Sequence, residues 1–274
     1  MLLNSKTRQL IEAYISNPSS SLIVSGQIDG RGEVVDYLTE ELLGKDHRNN
    51  IVIVDLEDKK TIGVAQVREL KKSLTTKIRA AGVGRVAIVR NADKLTNEAQ
   101  NALLKLIEEP AAHTALILEV GSPKGLIATI RSRCQIVRVL PVEKHTAREY
   151  AGSLGLSDAD FNKAFMISAG ESAMFSTLIN NQETPMIAQI DEAKLFLSKS
   201  HFDRLAMQKK YTKSSDISGL ISGLLKISEA AMHSSKQPGV EKWSDIIRLV
   251  LECRDQLSRN APAKLVFLKL CVNI

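Results

Sequence analysis

Residues 85–140 read RVAIVRNADKLTNEAQNALLKLIEEPAAHTALILEVGSPKGLIATIRSRCQIVRVL, and this stretch decides the predicted fold. Apolar runs at 85–89, 114–120 and 135–140 have the length and continuity of buried strands. Between the first two runs, residues 94–107 repeat apolar side chains at helical spacing, and Pro110 follows the predicted helix. Strands that alternate with helices in this way predict an α/β fold, a parallel sheet covered by helices on both faces.

The same alternation extends toward the amino terminus and stops at Pro141. The upstream pattern predicts buried strands at 21–25 and 50–55, and helices at 3–15, at 34–43 and from 62 onward. Beyond Pro141 we find only helical patterns, at 143–154, 158–167, 171–179, 186–198, 201–212, 217–233, 240–257 and 263–272. A polar break at 180–185 separates the first three of these helices from the five that follow. We therefore predict an α/β core over 1–141, a helical lid over 142–184 and an all-helical oligomerisation domain over 185–274.

The last of these domains is predicted to contact other subunits. Its segments at 217–227 and 246–253 carry more aliphatic side chains than a small bundle needs to bury on one face each. We therefore expect part of this aliphatic surface to pack against equivalent domains of neighbouring subunits, in a closed collar.

Composition favours aliphatic cores and a reducing compartment. Hydrophobic residues make up 44% of the 274 residues and aromatic residues only 4%, which suits helices and parallel strands. Cys134, Cys253 and Cys271 are odd in number and lie far apart, which argues against a disulfide framework and against a cysteine zinc site. No apolar run approaches the ~20 residues that a membrane span needs, and the amino terminus lacks a secretion-signal pattern. We expect a cytoplasmic protein with no membrane association.

The charge is mildly basic and leaves two interpretations open. A formal charge of +6 and a pI of about 9.2 fit an ordinary solvated surface of mixed charge. They also fit long-range attraction toward nucleic acid. Because no dense block of lysine and arginine with interleaved aromatic residues occurs, charge alone does not indicate DNA binding.

A glycine-rich segment follows the first predicted strand, where a phosphate-binding loop would lie. Such a loop reads G-x-x-x-x-G-K-[ST]: its backbone N–H groups and lysine hold the phosphates, and its hydroxyl holds Mg²⁺. Residues 26–34 instead read GQIDGRGEV, with glycines at Gly26, Gly30 and Gly32. Glu33 and Val34 stand where the lysine and the hydroxyl are required, and Asp29 adds a second negative charge. Repulsion of a triphosphate at close range is worth several kcal/mol in a partly dry site, so the pattern predicts a strand–turn–helix corner that no longer binds nucleotide.

The core stretch resembles a known family in the order and spacing of its motifs. Its buried strand, the helix that ends in LLKLIEEP at 103–110, the second apolar strand and Ser132-Arg133-Cys134 closely resemble the ATPase core of the bacterial clamp-loader family. These AAA+ proteins place the sliding clamp on DNA during replication. The resemblance extends over the whole chain in layout, but only residues 26–140 carry it at the level of motifs. It implies an AAA+ core, a small helical lid and a separate helical domain.

The resemblance also shows which nucleotide contacts this chain lacks. In the family's ATPases the strand over 86–89 ends in Asp-Glu, which holds Mg²⁺ and polarises water, whereas here Arg90-Asn91 follows. An arginine cannot ligate a cation. Polar Thr or Asn residues near the γ-phosphate are replaced by Glu119-Val120-Gly121-Ser122, and no lid arginine occurs between Arg148 and Arg204. Neither a bound cofactor nor a metal is expected.

Arg133 is a family feature that this chain retains. In the family the Ser-Arg-Cys motif carries an arginine finger, a planar positive charge that is supplied to ATP bound by a neighbouring subunit. The alternative is a structural salt bridge or a solvated side chain. Ser132 and Cys134 are the motif neighbours, and Cys134 is expected to be a small buried apolar side chain. Glu108 and Glu109 are expected to end their helix and order a subunit contact rather than act as catalytic carboxylates.

The function implied by the resemblance is that of a non-catalytic subunit of the DNA polymerase III clamp loader. Its implied partners are the ATPase subunits and the delta subunit, with the sliding clamp and primed DNA reached through the complex. Alternatives are an ATP-hydrolysing motor subunit, a clamp-opening delta-like subunit, which normally lacks the Ser-Arg-Cys motif, and a stand-alone nucleic-acid-binding protein. Non-catalytic members often carry a four-cysteine zinc module near 44–61, and this chain has no cysteine before Cys134.

Overall fold

The structure is a computed structural model that describes residues 1–18, 21–26, 28–44, 50–56, 60–76, 78, 80–180, 185–211, 213–234 and 239–274. Some predicted features lie outside these ranges: the end of the first loop at 19–20, the connection at 45–49, the break at 181–184 and the loop at 235–238. The chain forms two compact units. One comprises Met1–Glu143 with Glu171–Ala173, and the other comprises Lys144–Gly170 with Met174–Ile274. The three-part division into core, lid and oligomerisation domain stays a prediction.

The first unit is built on a five-stranded parallel sheet in the order β2-β3-β4-β1-β5. Its strands are β1 (Leu22–Ser25), β2 (Ile51–Val54), β3 (Arg85–Val89), β4 (Thr114–Val120) and β5 (Gln135–Arg138). Its helices are α1 (Ser5–Ser16), α2 (Ile28–Leu43), α3 (Val64–Ser73), α4 (Asn97–Glu108) and α5 (Ala128–Arg131). The predicted parallel sheet is confirmed, and β3 and β4 have the predicted bounds.

Both faces of the sheet are buried, because successive strand residues point to opposite sides. In β1, Ile23 packs into a cluster with α3 and α4, which includes Val67 and Leu103. Leu22 and Val24 pack into a second cluster with α1 and α2. This arrangement explains why the central strands read as continuous apolar runs.

Three sequence predictions differ from the structure. β2 was expected to be a buried strand, but it lies at the sheet edge and its Ile53 is half exposed. The second helix was expected to begin at Val34, yet α2 begins at Ile28. Gly30 and Gly32 obscured its first turns, since each costs about 1 kcal/mol in a helix without forbidding it. The short helix α5 was not predicted at all.

The second unit is helical throughout its described residues. Its helices are α6 (Lys144–Ser153), α7 (Asp158–Ser168), α8 (Ser172–Ile179, of which Ser172 and Ala173 belong to the first unit), α9 (Pro185–Ser198), α10 (His201–Ala206), α11 (Ser214–Ser234), α12 (Gly239–Ser258) and α13 (Ala263–Asn273). In the aliphatic segments at 217–227 and 246–253, Ile217, Leu220, Leu224, Ile246 and Val250 are buried in one cluster, whereas Leu251 is exposed. That cluster is large enough to take the buried residues because it also includes α9 and α13. The expected contact of part of this surface with other subunits stays a prediction.

Candidate functional site at the carboxyl edge of the sheet

The segment between β1 and α2 is too short to wrap a phosphate. Only residues 26 and 27 separate the end of the strand from the helix. A Cβ atom at Gly26 would lie 3.0 Å from Cβ of Val139, so the close approach of the chain after β5 requires glycine here. Gln27 and the side chain of Asp29 lie outside the described part of the structure. The residues predicted to form a loop, Gly30 and Gly32, are helical.

Glu33 and Val34, at the positions of the phosphate-loop lysine and hydroxyl, differ in burial. The Glu33 side chain is exposed on α2, whereas Val34 is fully buried and packs with the sheet and α1. Neither residue can supply the charge-neutralising amine or the Mg²⁺-binding hydroxyl that a phosphate loop needs.

Arg31 reaches back from the first turns of α2 to the ends of three strands. Its Nε donates to Glu119 Oε1 at 2.8 Å, and its Nη1 donates to the Gly26 carbonyl at 3.1 Å. Its Nη2 donates to Asn91 Oδ1 at 3.0 Å. Arg31 is 6% exposed and Glu119 is 4% exposed. The site therefore contains a buried ion pair, which is stable only when its remaining polar atoms also find partners.

Arg90 and Asn91, the residues at the predicted acidic-pair position, belong to the same cluster. Arg90 Nη2 donates to Asp36 Oδ1 at 3.2 Å, and Arg90 Nε lies 3.8 Å from Glu119 Oε2. Neither Arg90 Nε nor Glu119 Oε2 has a hydrogen-bond partner among the described residues. Asn91 adopts a left-handed backbone conformation and donates its Nδ2 to Asp55 Oδ1 at 2.9 Å. The edge is thus occupied by side chains of the protein itself.

Sequence analysis gave Arg31 and its pairing with Glu119 no role. One signal could have found them. Glu119 stands inside the apolar run TALILEV, where a carboxylate is buried unless the strand is misassigned. A buried carboxylate requires a cation or several donors, and Arg31 is the arginine that the glycine-rich corner brings to that edge.

Arg133 lies elsewhere, between α5 and the amino end of β5. Its Nε donates to Glu108 Oε1 at 2.7 Å, and its Nη1 donates to the Thr129 carbonyl at 3.2 Å. The Arg133 side chain is 42% exposed, and Nη2 makes no hydrogen bond to the residues that the structure describes. Glu108 is the last residue of α4, as the predicted helix end before Pro110 required. The pair holds the guanidinium at the surface with one edge available.

The motif neighbours of Arg133 carry no reactive group. Ser132 is exposed and caps α5, with its Oγ donating to the Thr129 carbonyl at 3.1 Å. Cys134 is half-buried, and burial raises the pKa of its thiol to about 12. A thiol with so high a pKa is a poor nucleophile at neutral pH. Within the described ranges no three His, Cys, Asp or Glu residues are placed to hold a metal ion, and no helix there is long and apolar enough to cross a membrane.

Comparison with known proteins identifies relatives of the first unit. Residues 37–143 match the protein family described as DNA polymerase III, delta subunit. The chain is 34% identical over 125 residues to DNA polymerase III subunit delta' of Escherichia coli (strain K12), covering 45% of this chain and 37% of that protein. It is 29% identical over 115 residues to the replication factor C small subunit of Staphylothermus marinus, covering 42% and 35%. The chain thus spans well under half the length of the curated relatives that it matches.

A solved structure extends the likeness to the whole fold. A DNA polymerase III, gamma subunit-related protein of Thermotoga maritima superposes with a TM-score of 0.60 at 16% identity, over 98% of each chain. Together with the parallel sheet in the order β2-β3-β4-β1-β5, this shows that the chain has the fold of AAA+ proteins. The family match over residues 37–143 and the 34% identity over 125 residues show that part of this chain is similar to subunit delta' of DNA polymerase III.

Proposed function

We propose that this chain is a non-catalytic clamp-loader subunit that supplies Arg133 to ATP bound by a neighbouring subunit. One observation carries the proposal: Arg133 lies at one end of the sheet, and the corner that corresponds to a nucleotide site in this chain lies at the other end. Arg133 precedes the amino end of β5, which pairs in parallel with β1 from Leu22↔Gln135 to Ser25↔Arg138. Three residue steps span roughly 10 Å, so Arg133 lies at the end of the sheet opposite to the edge where Gly26, Asn91 and Glu119 meet. A phosphate that receives it belongs to another molecule.

The chain's own edge is unsuited to ATP. The lysine and hydroxyl of a phosphate loop are absent, the loop itself is reduced to two residues, and the Arg31–Glu119 pair fills the edge. We infer that the chain neither binds nor hydrolyses ATP, and that the motor-subunit alternative does not apply. The delta-like alternative is disfavoured because the Ser-Arg-Cys motif is present.

The proposed partners are ATPase subunits of a clamp loader and its delta subunit, in the cytoplasm, with the sliding clamp and primed DNA reached through the complex. The surface for assembly is proposed to lie on α10 and α13, which contact each other through His201 Nδ1 and the Cys271 carbonyl at 2.9 Å. Next to these residues, Phe202 is 81% exposed and Val272 is largely exposed. Leu265 exposes a further apolar side chain on α13. Large apolar side chains that are exposed to this degree are candidates for contact with a protein partner.

Calorimetric titration of the isolated chain with ATP and Mg²⁺ tests the first half of the proposal. No heat of binding is expected, and micromolar affinity would establish the motor-subunit alternative instead. The second half is tested by reconstituting the chain with motor subunits and measuring the ATPase rate stimulated by DNA and clamp.

In that assay Arg133→Ala should lower the stimulated ATPase rate only in part, because the other motor subunits keep their own arginine fingers. Arg133→Lys should also be impaired, since a flexible ammonium does not reproduce the planar fork of the guanidinium. Arg131→Ala, an exposed arginine two residues away, is the matched control and should leave the rate unchanged. A wild-type rate with Arg133→Ala would contradict the finger assignment and would mean that Arg133 only forms a structural salt bridge with Glu108.

A further inference from the structure

The three nitrogen atoms of the Arg31 guanidinium each have a separate oxygen acceptor. Nε donates to Glu119 Oε1, Nη1 to the Gly26 carbonyl and Nη2 to Asn91 Oδ1, at 2.8, 3.1 and 3.0 Å. These acceptors come from the ends of β4, β1 and β3, which are neighbours in the sheet. Three separate acceptors, one for each nitrogen, match the fork of a guanidinium rather than the point charge of an ammonium.

The acceptors are held in place by groups other than Arg31. Glu119 lies within β4, where it pairs in register with Val24 of β1. Asn91 donates its Nδ2 to Asp55 Oδ1, which leaves its Oδ1 facing Arg31. The Gly26 carbonyl belongs to the backbone, and the Gly26 N–H donates to the Val120 carbonyl at 3.3 Å. The receptor is therefore built by the sheet and persists in part when the Arg31 side chain is removed.

The electrostatic sense of this pocket is opposite to that of a phosphate site. A phosphate site presents N–H donors and positive charge. Here the groups that surround Arg31 are a buried carboxylate, an amide oxygen and a backbone carbonyl, all of them acceptors.

We propose that this strand-edge pocket is a guanidinium-binding site that the protein fills with its own Arg31. Arg31 then joins β1, β3 and β4 as a bound ligand would, so the α/β unit is held together without a nucleotide. The inference is independent of the role of Arg133 and concerns the isolated chain.

Chemical rescue tests the proposal. Arg31→Ala should lower the melting temperature by about 6–20 °C, because the buried Glu119 loses its hydrogen-bonded partner and keeps only Arg90, whose Nε lies 3.8 Å from Oε2. Millimolar guanidinium or methylguanidinium chloride should restore at least half of that loss in a saturable manner. Sodium chloride and urea at the same concentrations should restore none. Arg131→Ala is the control for loss of an exposed arginine and should change neither the melting temperature nor its response to guanidinium.

Further variants separate a receptor from a merely structural ion pair. Arg31→Ala combined with Glu119→Gln should lose the rescue, since the neutral amide presents a weaker acceptor. Should Arg31→Ala fail to fold, Arg31→Met with Glu119→Leu is expected to fold and to melt closer to the wild-type protein, because both charges are then removed together. Failure of that double variant to fold would overturn the proposal.

Two results with Arg31→Ala would also overturn it. One is a melting temperature equal to that of the wild-type protein. The other is stabilisation by inorganic triphosphate with Mg²⁺ in place of guanidinium, which would mean that Arg31 merely blocks a phosphate pocket.

Discussion

Two arginine–glutamate pairs in this protein differ in burial, and burial determines what each can do. Arg31 and Glu119 are both buried, so separating them leaves a charge without solvent, which typically costs about 3–5 kcal/mol. Arg133 and Glu108 are about half exposed, and such surface pairs contribute about 0–1 kcal/mol. Arg133 can therefore leave Glu108 at little cost, as its proposed role as an arginine finger requires, whereas Arg31 is committed to its own chain.

The cysteines show the same effect of burial on a single group. Burial raises the pKa of Cys134 to about 12 and that of Cys271 to about 11, and it also raises the pKa of Cys253. All three are free thiols. In each case the protonated form is favoured in the folded protein, so the contribution to stability is present below the ordinary thiol pKa of 9.0 and is lost as the pH rises through the raised pKa, which is about 12 for Cys134 and about 11 for Cys271.

We predict slow alkylation of the native thiols. At pH 8 the thiolate population of Cys134 and Cys271 is depressed by the raised pKa values, and the thiolate is the reactive species. Iodoacetamide followed by mass spectrometry should find the native chain largely unmodified and the denatured chain modified at three sites. Rapid native modification at Cys134 would contradict its burial.

At the scale of elements, a close crossing of two helices depends on one glycine. Gly223 of α11 faces the backbone of α9, and a Cβ atom there would overlap the carbonyl of Gln189 and lie 3.0 Å from Cβ of Ala193. Because the obstacle is backbone, it cannot move aside without shifting a helix. Gly223 is thus kept at the crossing although glycine is a poor helix former.

Gly223→Ala should destabilise the protein despite its gain in helix propensity. Overpacking typically costs about 1–3 kcal/mol of stability, and overlap with backbone places the cost at this site at or above the upper end of that range. The higher helix propensity of alanine offsets only about 1 kcal/mol of this cost. Gly152→Ala in α6 is the matched control, since nothing lies within 4 Å of its added methyl group. Denaturant unfolding should show a loss for the first and no loss for the second. An equal or higher stability of Gly223→Ala would show that α9 and α11 are further apart.

At the scale of the whole molecule, the exposed apolar side chains include two on α10 and α13, whereas the segments at 217–227 and 246–253 are buried in part and expose Leu251. Ile221 and Val250 belong to those segments, and both are buried in the core of the second unit. Phe202 and Val272 are exposed although their neighbours His201 and Cys271 are joined by a hydrogen bond. A large exposed aromatic side chain beside an aliphatic one is a common anchor of protein interfaces.

Phe202→Ser with Val272→Ser should weaken assembly with clamp-loader ATPase subunits by roughly tenfold or more, which corresponds to the loss of one interface anchor. The isolated variant should unfold at the same denaturant concentration as the wild-type chain, because both side chains are exposed. Leu154→Ser, which removes a half-exposed leucine elsewhere on the second unit, is the control. Sedimentation of the reconstituted mixture checks the result, and unchanged assembly would place the contact on another face.

The sequence alone determined the parallel α/β core, the bounds of β3 and β4 and the helical remainder, because local apolar periodicity and strand continuity carry that information. It also determined which nucleotide-binding residues are missing, since those depend on identity at a position. Only the tertiary structure decided that β2 is an edge strand, that Glu119 meets Arg31 across 88 positions of sequence and that Arg133 lies at the end of the sheet opposite to the Arg31–Glu119 pair. These features follow from the order of strands in the sheet, which long-range pairing sets and no local pattern records.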